Sequence, residues 1–236
     1  MNIFPKINGA IEYWDILVLG HLFWNRYFGE TQENPPRGTP STCSSVLIRG
    51  RQADGEPFRM IVDTTIRRSA EEAYFDLNRR TGLAPGDITH CFATHHHFDH
   101  WNGMKYYPNA QWLCASGNKA LIIEASGQAA GREPGDGLSP TIPAERIVEV
   151  TGEFFPGIYA LPLPGHTQGL HGIAFSCEGK RILAAGDSVM TRHHFRDRRT
   201  EFQPDPAMHP VAAQTIANMA ESFDIIIPGH DNPVIL

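Results

Sequence analysis

The stretch Thr94-His95-His96-His97-Phe98-Asp99-His100-Trp101-Asn102-Gly103 puts four imidazoles and one carboxylate into ten residues. It follows an apolar run, Ile88 to Ala93, that reads as a buried strand, so the polar groups fall where that strand ends and the chain turns. Imidazole and carboxylate together suit a borderline divalent metal such as zinc. In an extended segment His95, His97 and Asp99 point the same way, because side chains alternate with period two. His100 joins them only if the chain turns after Asp99, and it then faces a second metal. A run of histidines can also be a surface tract. This one is internal, flanked by apolar sequence and interrupted by Asp99, which argues against that.

The remaining chain supplies alternating strand and helix signals. Ile16-Leu17-Val18-Leu19 is a short strand. Ser44 to Arg49 and Phe58 to Val62 flank a turn at Asp54-Gly55, a hairpin signal, and the second strand runs into Asp63. Ser69 caps a helix with Glu71 and Glu72 in its first turn; Ala73 and Leu77 continue it to Arg80 and Gly82 stops it. Ala110 to Ala115 is a strand and Lys119 to Ala125 a helix. Residues 126–143 are rich in Gly and Pro and read as a long loop, either a lid or an insertion. Strands at Ile147–Val150 and Ile158–Leu163 follow, the second running into Pro164-Gly165-His166-Thr167-Gln168-Gly169. A second hairpin, Gly172–Ser176 and Arg181–Ala185, ends in Gly186-Asp187-Ser188. A helix spans residues 210–222, and a last strand, Asp224 to Ile227, ends in Pro228-Gly229-His230. Strand, helix and strand in alternation predict an α/β protein.

Thr94-His95-x-His97-x-Asp99-His100 resembles the signature of the metallo-β-lactamase superfamily of metallohydrolases. The later Pro164-Gly165-His166, Gly186-Asp187 and Pro228-Gly229-His230 fall in that family's order. The resemblance covers nearly the whole chain and implies a single domain, residues 1–236, folded as a four-layer αββα sandwich. It implies that His95, His97 and His166 hold one metal ion, that Asp99, His100 and His230 hold a second, and that Asp187 bridges them. It gives Asp63 a supporting role by hydrogen bonds to the metal loop, although an Asp that merely ends a strand is an equal reading. The cofactor implied is two divalent ions, Zn2+ first, with Mn2+ or Fe2+ as alternatives. A hydroxide held between the ions would attack the substrate, with Asp99 as the catalytic proton acceptor. His171 reads as structural, and His96 lies off the ligand face.

Within that family, Asp187 argues against a true β-lactamase, and His97 against the flavodiiron branch, which carries Glu there. The chain ends six residues after His230, without the C-terminal helical domain of glyoxalase II enzymes. What is left is similar to compact quorum-quenching lactonases, although their catalytic tyrosine has no clear counterpart in Tyr159, Tyr106 or Tyr107. The expected activity is hydrolysis of a small-molecule ester, lactone or thioester. The alternatives are a phosphodiesterase or nuclease on the same site, and a mononuclear iron oxygenase similar to persulfide dioxygenases.

Composition bounds the partners. A net charge of −6 gives no bulk attraction to nucleic acid or an anionic membrane. The one basic cluster, Arg192 to Arg199, is either a solvated loop or a lure for an anionic substrate at the site mouth. Four cysteines without a CxxC pair fit a reducing cytoplasm. The N-terminus lacks a signal-peptide pattern, and no apolar run is long enough to span a bilayer. An oligomer is left open. Phe23, Trp24, Tyr27 and Phe28 are either core or a pocket wall.

Overall fold

Period-two alternation places the apolar residues of most strands on two faces, and the fold buries both. The structure is a computed structural model that describes residues 4, 5, 7, 11–22, 41–130, 142–198 and 205–236, the side chains of 128–130 excepted. In its first half, β1 (Tyr13–Val18), β2 (Ser45–Arg51), β3 (Pro57–Val62), α1 (Ala70–Thr81), β4 (His90–Ala93), α2 (Phe98–Trp101), β5 (Gln111–Ala115), α3 (Asn118–Ala130) and β6 (Ile147–Val150) follow one another. The second half holds β7 (Gly152–Phe155), β8 (Ile158–Pro162), β9 (His171–Cys177), β10 (Lys180–Gly186), α4 (Arg192–Asp197), α5 (His209–Ser222), β11 (Ile225–Pro228) and β12 (Val234–Ile235). Six strands from each half form a sheet, ordered β1-β2-β3-β4-β5-β6 and β12-β11-β10-β9-β8-β7.

The two sheets face each other. Val46, Ile48, Met60, Val62, Phe92 and Leu113 of the first pack with Ile158, Ile173, Phe175, Ile182 and Ile227 of the second. The alternate residues point outward. Leu47, Ile61, Cys91 and Trp112 meet Ala73 and Leu77 of α1 and Ile122 of α3. Tyr159, Leu161, Leu183 and Ile226 meet Phe195 of α4 and Ile216 and Met219 of α5. Helix, sheet, sheet and helix layers are the expected αββα sandwich. Each fully buried aliphatic or aromatic side chain contributes roughly 1.5–3 kcal/mol, which makes the middle layer the main source of stability.

Strand direction decides where the polar turns emerge. β3 and β4 are parallel, with Val62 beside Phe92, so Asp63 and Thr94 leave the first sheet at one edge. β10 and β11 are also parallel, with Gly186 beside Pro228, so Asp187 and Gly229-His230 leave the second sheet together. β8 and β10 both run antiparallel to β9, which brings the turn after β8 to that same edge.

Several boundaries differ from the sequence expectation. β1 begins at Tyr13, and Leu19 lies outside it, about half exposed. β4 is short because Pro85–Asp87 forms a 3₁₀ turn that ends at Ile88. α3 runs on to Ala130, so the first residues of the expected 126–143 loop are helical. Residues 131–141 and the aromatic group Phe23, Trp24, Tyr27 and Phe28 lie outside the described residues. β7 and β12 were not expected. Among the described residues no helix is long and apolar enough to cross a membrane.

Candidate metal centre

The turn after β4 departs from an extended chain two residues earlier than expected. His97 has extended backbone, but α2 starts at Phe98, and His100 N donates to His97 O at 3.1 Å. His95 and His97 therefore share one face, whereas Asp99 is carried with His100 toward a different group of side chains. The turn is held from below by Trp101, whose Nε1–H donates to His96 O at 2.9 Å.

Three groups of ligand-type atoms result among the described residues; Cys43, Asp63 and His100 form the rear one, and the other two meet at Asp187. His95, His97, His166 and Asp187 present atoms within 4.8 Å of one another, and so do Asp99, His100 and His230. Asp187 stands between them. Its Oδ2 lies 3.3 Å from His166 Nε2 and 3.9 Å from His95 Nε2, and its Oδ1 lies 3.3 Å from His100 Nε2 and 3.2 Å from His230 Nε2. His97 Nδ1 is 3.1 Å from His166 Nε2. Asp99 Oδ2 is 3.5 Å from His230 Nε2 and 3.8 Å from His100 Nε2.

Asp63 lies one step behind. Its backbone is left-handed, with φ of 53°, and its carboxylate accepts from Thr94 N at 2.8 Å, Thr94 Oγ1 at 2.9 Å and His100 Nδ1 at 2.8 Å. His230 Nδ1 donates to Thr42 O at 2.9 Å. In both rings the inner proton is tied down and Nε2 is left facing the centre. His171 Nδ1 donates to Gly169 O at 2.8 Å, which makes it a strut of the His166 turn. Tyr107 and Tyr159 are buried beneath the helices on opposite outer faces, in core rather than at the centre.

Electrostatics sort the imidazoles into two kinds. Burial lowers His97, pushes His166 down to about 4, and together with its charged neighbours holds His95 well below the usual range; all three are neutral, the form that ligates. Burial also opposes charge on His100 and His230. Neighbouring groups overcome it: the Cys43 sulfur, then Asp63, Asp187 and Asp99 for His100, and Asp187 and Asp99 for His230. Burial disfavours an ionised Asp187 too, yet His230 and His100 hold it well below the carboxylate range. Asp187 is thus held as an anion among the imidazoles, and a divalent cation would take the place of the protons that His100 and His230 attract. Buried His95 Nε2, His100 Nε2 and Asp187 Oδ1 have no hydrogen-bond partner. Orphaned acceptors of this kind fit divalent cations.

Two arginines of the basic segment are ion-paired. Arg192 pairs with Asp231 at 3.2 Å, and Arg196 pairs with Asp197 at 2.7 Å, both within or beside α4. The sequence did not single out Thr42 or Cys43. Cys43 Sγ donates to Asp99 O at 3.1 Å across 56 residues, a separation that leaves no local signal. Burial pushes this thiol up to about 11, so it is a neutral donor.

Comparison with known proteins agrees with this geometry. The chain is 24% identical over 216 residues to an N-acyl homoserine lactonase from a Bacillus species, spanning 87% of this chain and 80% of that one. It is 27% identical over 191 residues to metallo-beta-lactamase domain-containing protein 1 of Xenopus laevis, spanning 77% and 72%. Among solved structures, a quorum-quenching N-acyl homoserine lactone lactonase superposes with a TM-score of 0.65 at 18% identity, over 94% of this chain and 93% of that one. A Thermotoga maritima protein of the metallo-beta-lactamase type gives 0.69 at 21% identity, over 94% and 98%. The family model of the metallo-beta-lactamase superfamily matches residues 38–230. With two facing sheets, ligand-type residues at their shared edge and that match, the chain belongs to the metallo-β-lactamase superfamily.

Proposed function

We propose that this protein is a metal-dependent hydrolase that opens a small-molecule lactone, ester or thioester at a two-ion centre. The observation that carries the reading is the two-faced Asp187, with one oxygen toward His95 and His166 and the other toward His100 and His230. His95, His97 and His166 would hold one ion, Asp99, His100 and His230 the other, and Asp187 both. Zinc is the first choice for this mixed nitrogen and oxygen set, with manganese or iron as alternatives. When bound, such ions acidify a water toward neutral pH and polarise the substrate carbonyl.

The chain's own residues do the rest. Asp63 and the Thr42 carbonyl fix the tautomers of His100 and His230, so each Nε2 lone pair faces inward. Asp187, 3% exposed, is shielded from bulk water, which strengthens its attraction for cations. Asp99 has a side chain 22% exposed, the most open of the central carboxylates. That opening suits it to accept the proton of the attacking water and pass it to the leaving oxygen. The lactonase relatives make N-acyl homoserine lactones the first substrates to try. The pairing of Arg192 and Arg196 with aspartates weakens the case for a phosphodiester. Four buried, unpaired cysteines support a cytoplasmic setting.

The test is a substrate panel of N-acyl homoserine lactones, simple esters, thioesters and phosphodiesters, run with and without 1,10-phenanthroline. The expected result is lactone or ester turnover that chelation abolishes and added Zn2+ or Mn2+ restores. Turnover of phosphodiesters alone, or hydrolysis indifferent to chelation, would overturn the reading.

A further inference from the structure

We propose that Cys43, on the strap Thr42-Cys43-Ser44, is a positioning residue that sets the metal affinity of the Asp99–His100–His230 group and leaves the His95–His97–His166 group untouched. The inference rests on the two-ion reading above.

Three consecutive residues of the strap reach that one group. Thr42 O accepts from His230 Nδ1 at 2.9 Å. Cys43, fully buried, donates from Sγ to Asp99 O at 3.1 Å, and its sulfur lies within 4.8 Å of donor atoms of Asp63 and His100. Ser44 N donates to Gly229 O, next to His230, at 2.6 Å. No hydrogen bond of the strap reaches His95, His97 or His166 among the described residues.

The strap is itself anchored. Thr42 exchanges both backbone bonds with His21, at 2.7 and 2.9 Å. Gly20 N donates to Ser44 Oγ at 3.1 Å. A side chain at Gly20 would meet Gly229 O at 2.2 Å and His230 Cα at 2.7 Å, so this backbone is in direct contact with the His230 turn. The Asp99 carbonyl belongs to α2, a helix of a single turn whose propensity alone does not fix it. The thiol therefore secures the backbone from which Asp99 and His100 project. Outer partners of metal ligands typically change affinity by about 10–100-fold.

The test uses the full chain and zinc. Stepwise zinc affinities are measured by competition with a chromophoric chelator for the wild type, Cys43→Val (volume kept, donor removed) and Cys43→Ser (donor kept). Cobalt spectra of the singly loaded Cys43→Val and His230→Ala proteins identify the ion that remains. The expected result is two ions in the wild type and a loss of about 10–100-fold confined to one of the two steps in Cys43→Val. Cys43→Ser restores most of it, and Cys43→Val shares the His230→Ala cobalt spectrum. Unchanged affinities in Cys43→Val, or an equal loss at both steps, overturn the inference and leave the two-ion reading standing. A wild type that takes up one ion or none overturns both.

Discussion

Asp63 shows how a single carboxylate can organise a centre it does not enter. Its three accepted hydrogen bonds couple the end of β3 to the Thr94 backbone and to the inner nitrogen of His100. Asp63→Asn keeps the shape but turns an acceptor into a donor facing donors. Metal affinity or kcat/KM should fall about 10–100-fold with secondary structure intact by circular dichroism; wild-type values would show that Asp63 merely ends a strand. His90, far from the centre, predicts the acid limb of stability. Burial holds it at about 4, while the unfolded chain takes up a proton near 6.5. Between those values the unfolded state binds more protons, so stability is complete above 6.5 and declines as pH falls toward 4. Urea unfolding at pH 7.5 and 5.0 should show wild type losing roughly 1–2 kcal/mol more than His90→Gln; equal losses would contradict it. The sequence made the ligand-type residues legible because each group follows an apolar strand, His95 to His100 as a dense His/Asp run and His166, Asp187 and His230 beside a Gly. Period-two alternation alone grouped Asp99 with His95 and His97, whereas the family resemblance set it with His100 and His230; α2, held where the His96 carbonyl meets Trp101, carries it to the latter.

At the level of elements, the strand ends set the precision of the centre. Gly229 follows β11, and a side chain there would meet Asp187 Oδ1 at 2.0 Å, so β10 and β11 can approach only because this position is bare. Gly229→Ala should displace the Asp187 carboxylate and cut activity at least tenfold even where the variant folds, as read from kcat/KM beside a thermal melt. Full activity would mean the turn can relax without moving Asp187. The long alternating strands and α1, with its Ser69 cap and its Gly82 stop at φ of 71°, were readable because local chemistry decides them. β7 and β12 were not, being short and fixed by sheet neighbours rather than by their own pattern. The basic segment read equally as a solvated loop or a lure for an anionic substrate, because Arg192 finds Asp231 39 residues away and only the fold brings them together.

The whole molecule divides the work between its halves. The first sheet supplies Asp63, His95, His97, Asp99 and His100, and the second supplies His166, Asp187 and His230. The facing core holds these two sets in register, and Asp187 carries the second half's charge into the first. The resemblance to the superfamily supplied the four layers, and the α/β class was legible in the alternation of strand and helix signals. The pairing of Thr42 with His230 and of Cys43 with Asp99 was not, because such contacts exist only once the sheets have closed. The most direct test of the two-ion account is elemental analysis of protein purified without added metal, beside Asp187→Asn purified the same way. The account predicts two zinc or manganese ions per wild-type chain and one or fewer in the variant. A single iron per wild-type chain, or a variant that keeps both ions, would contradict it.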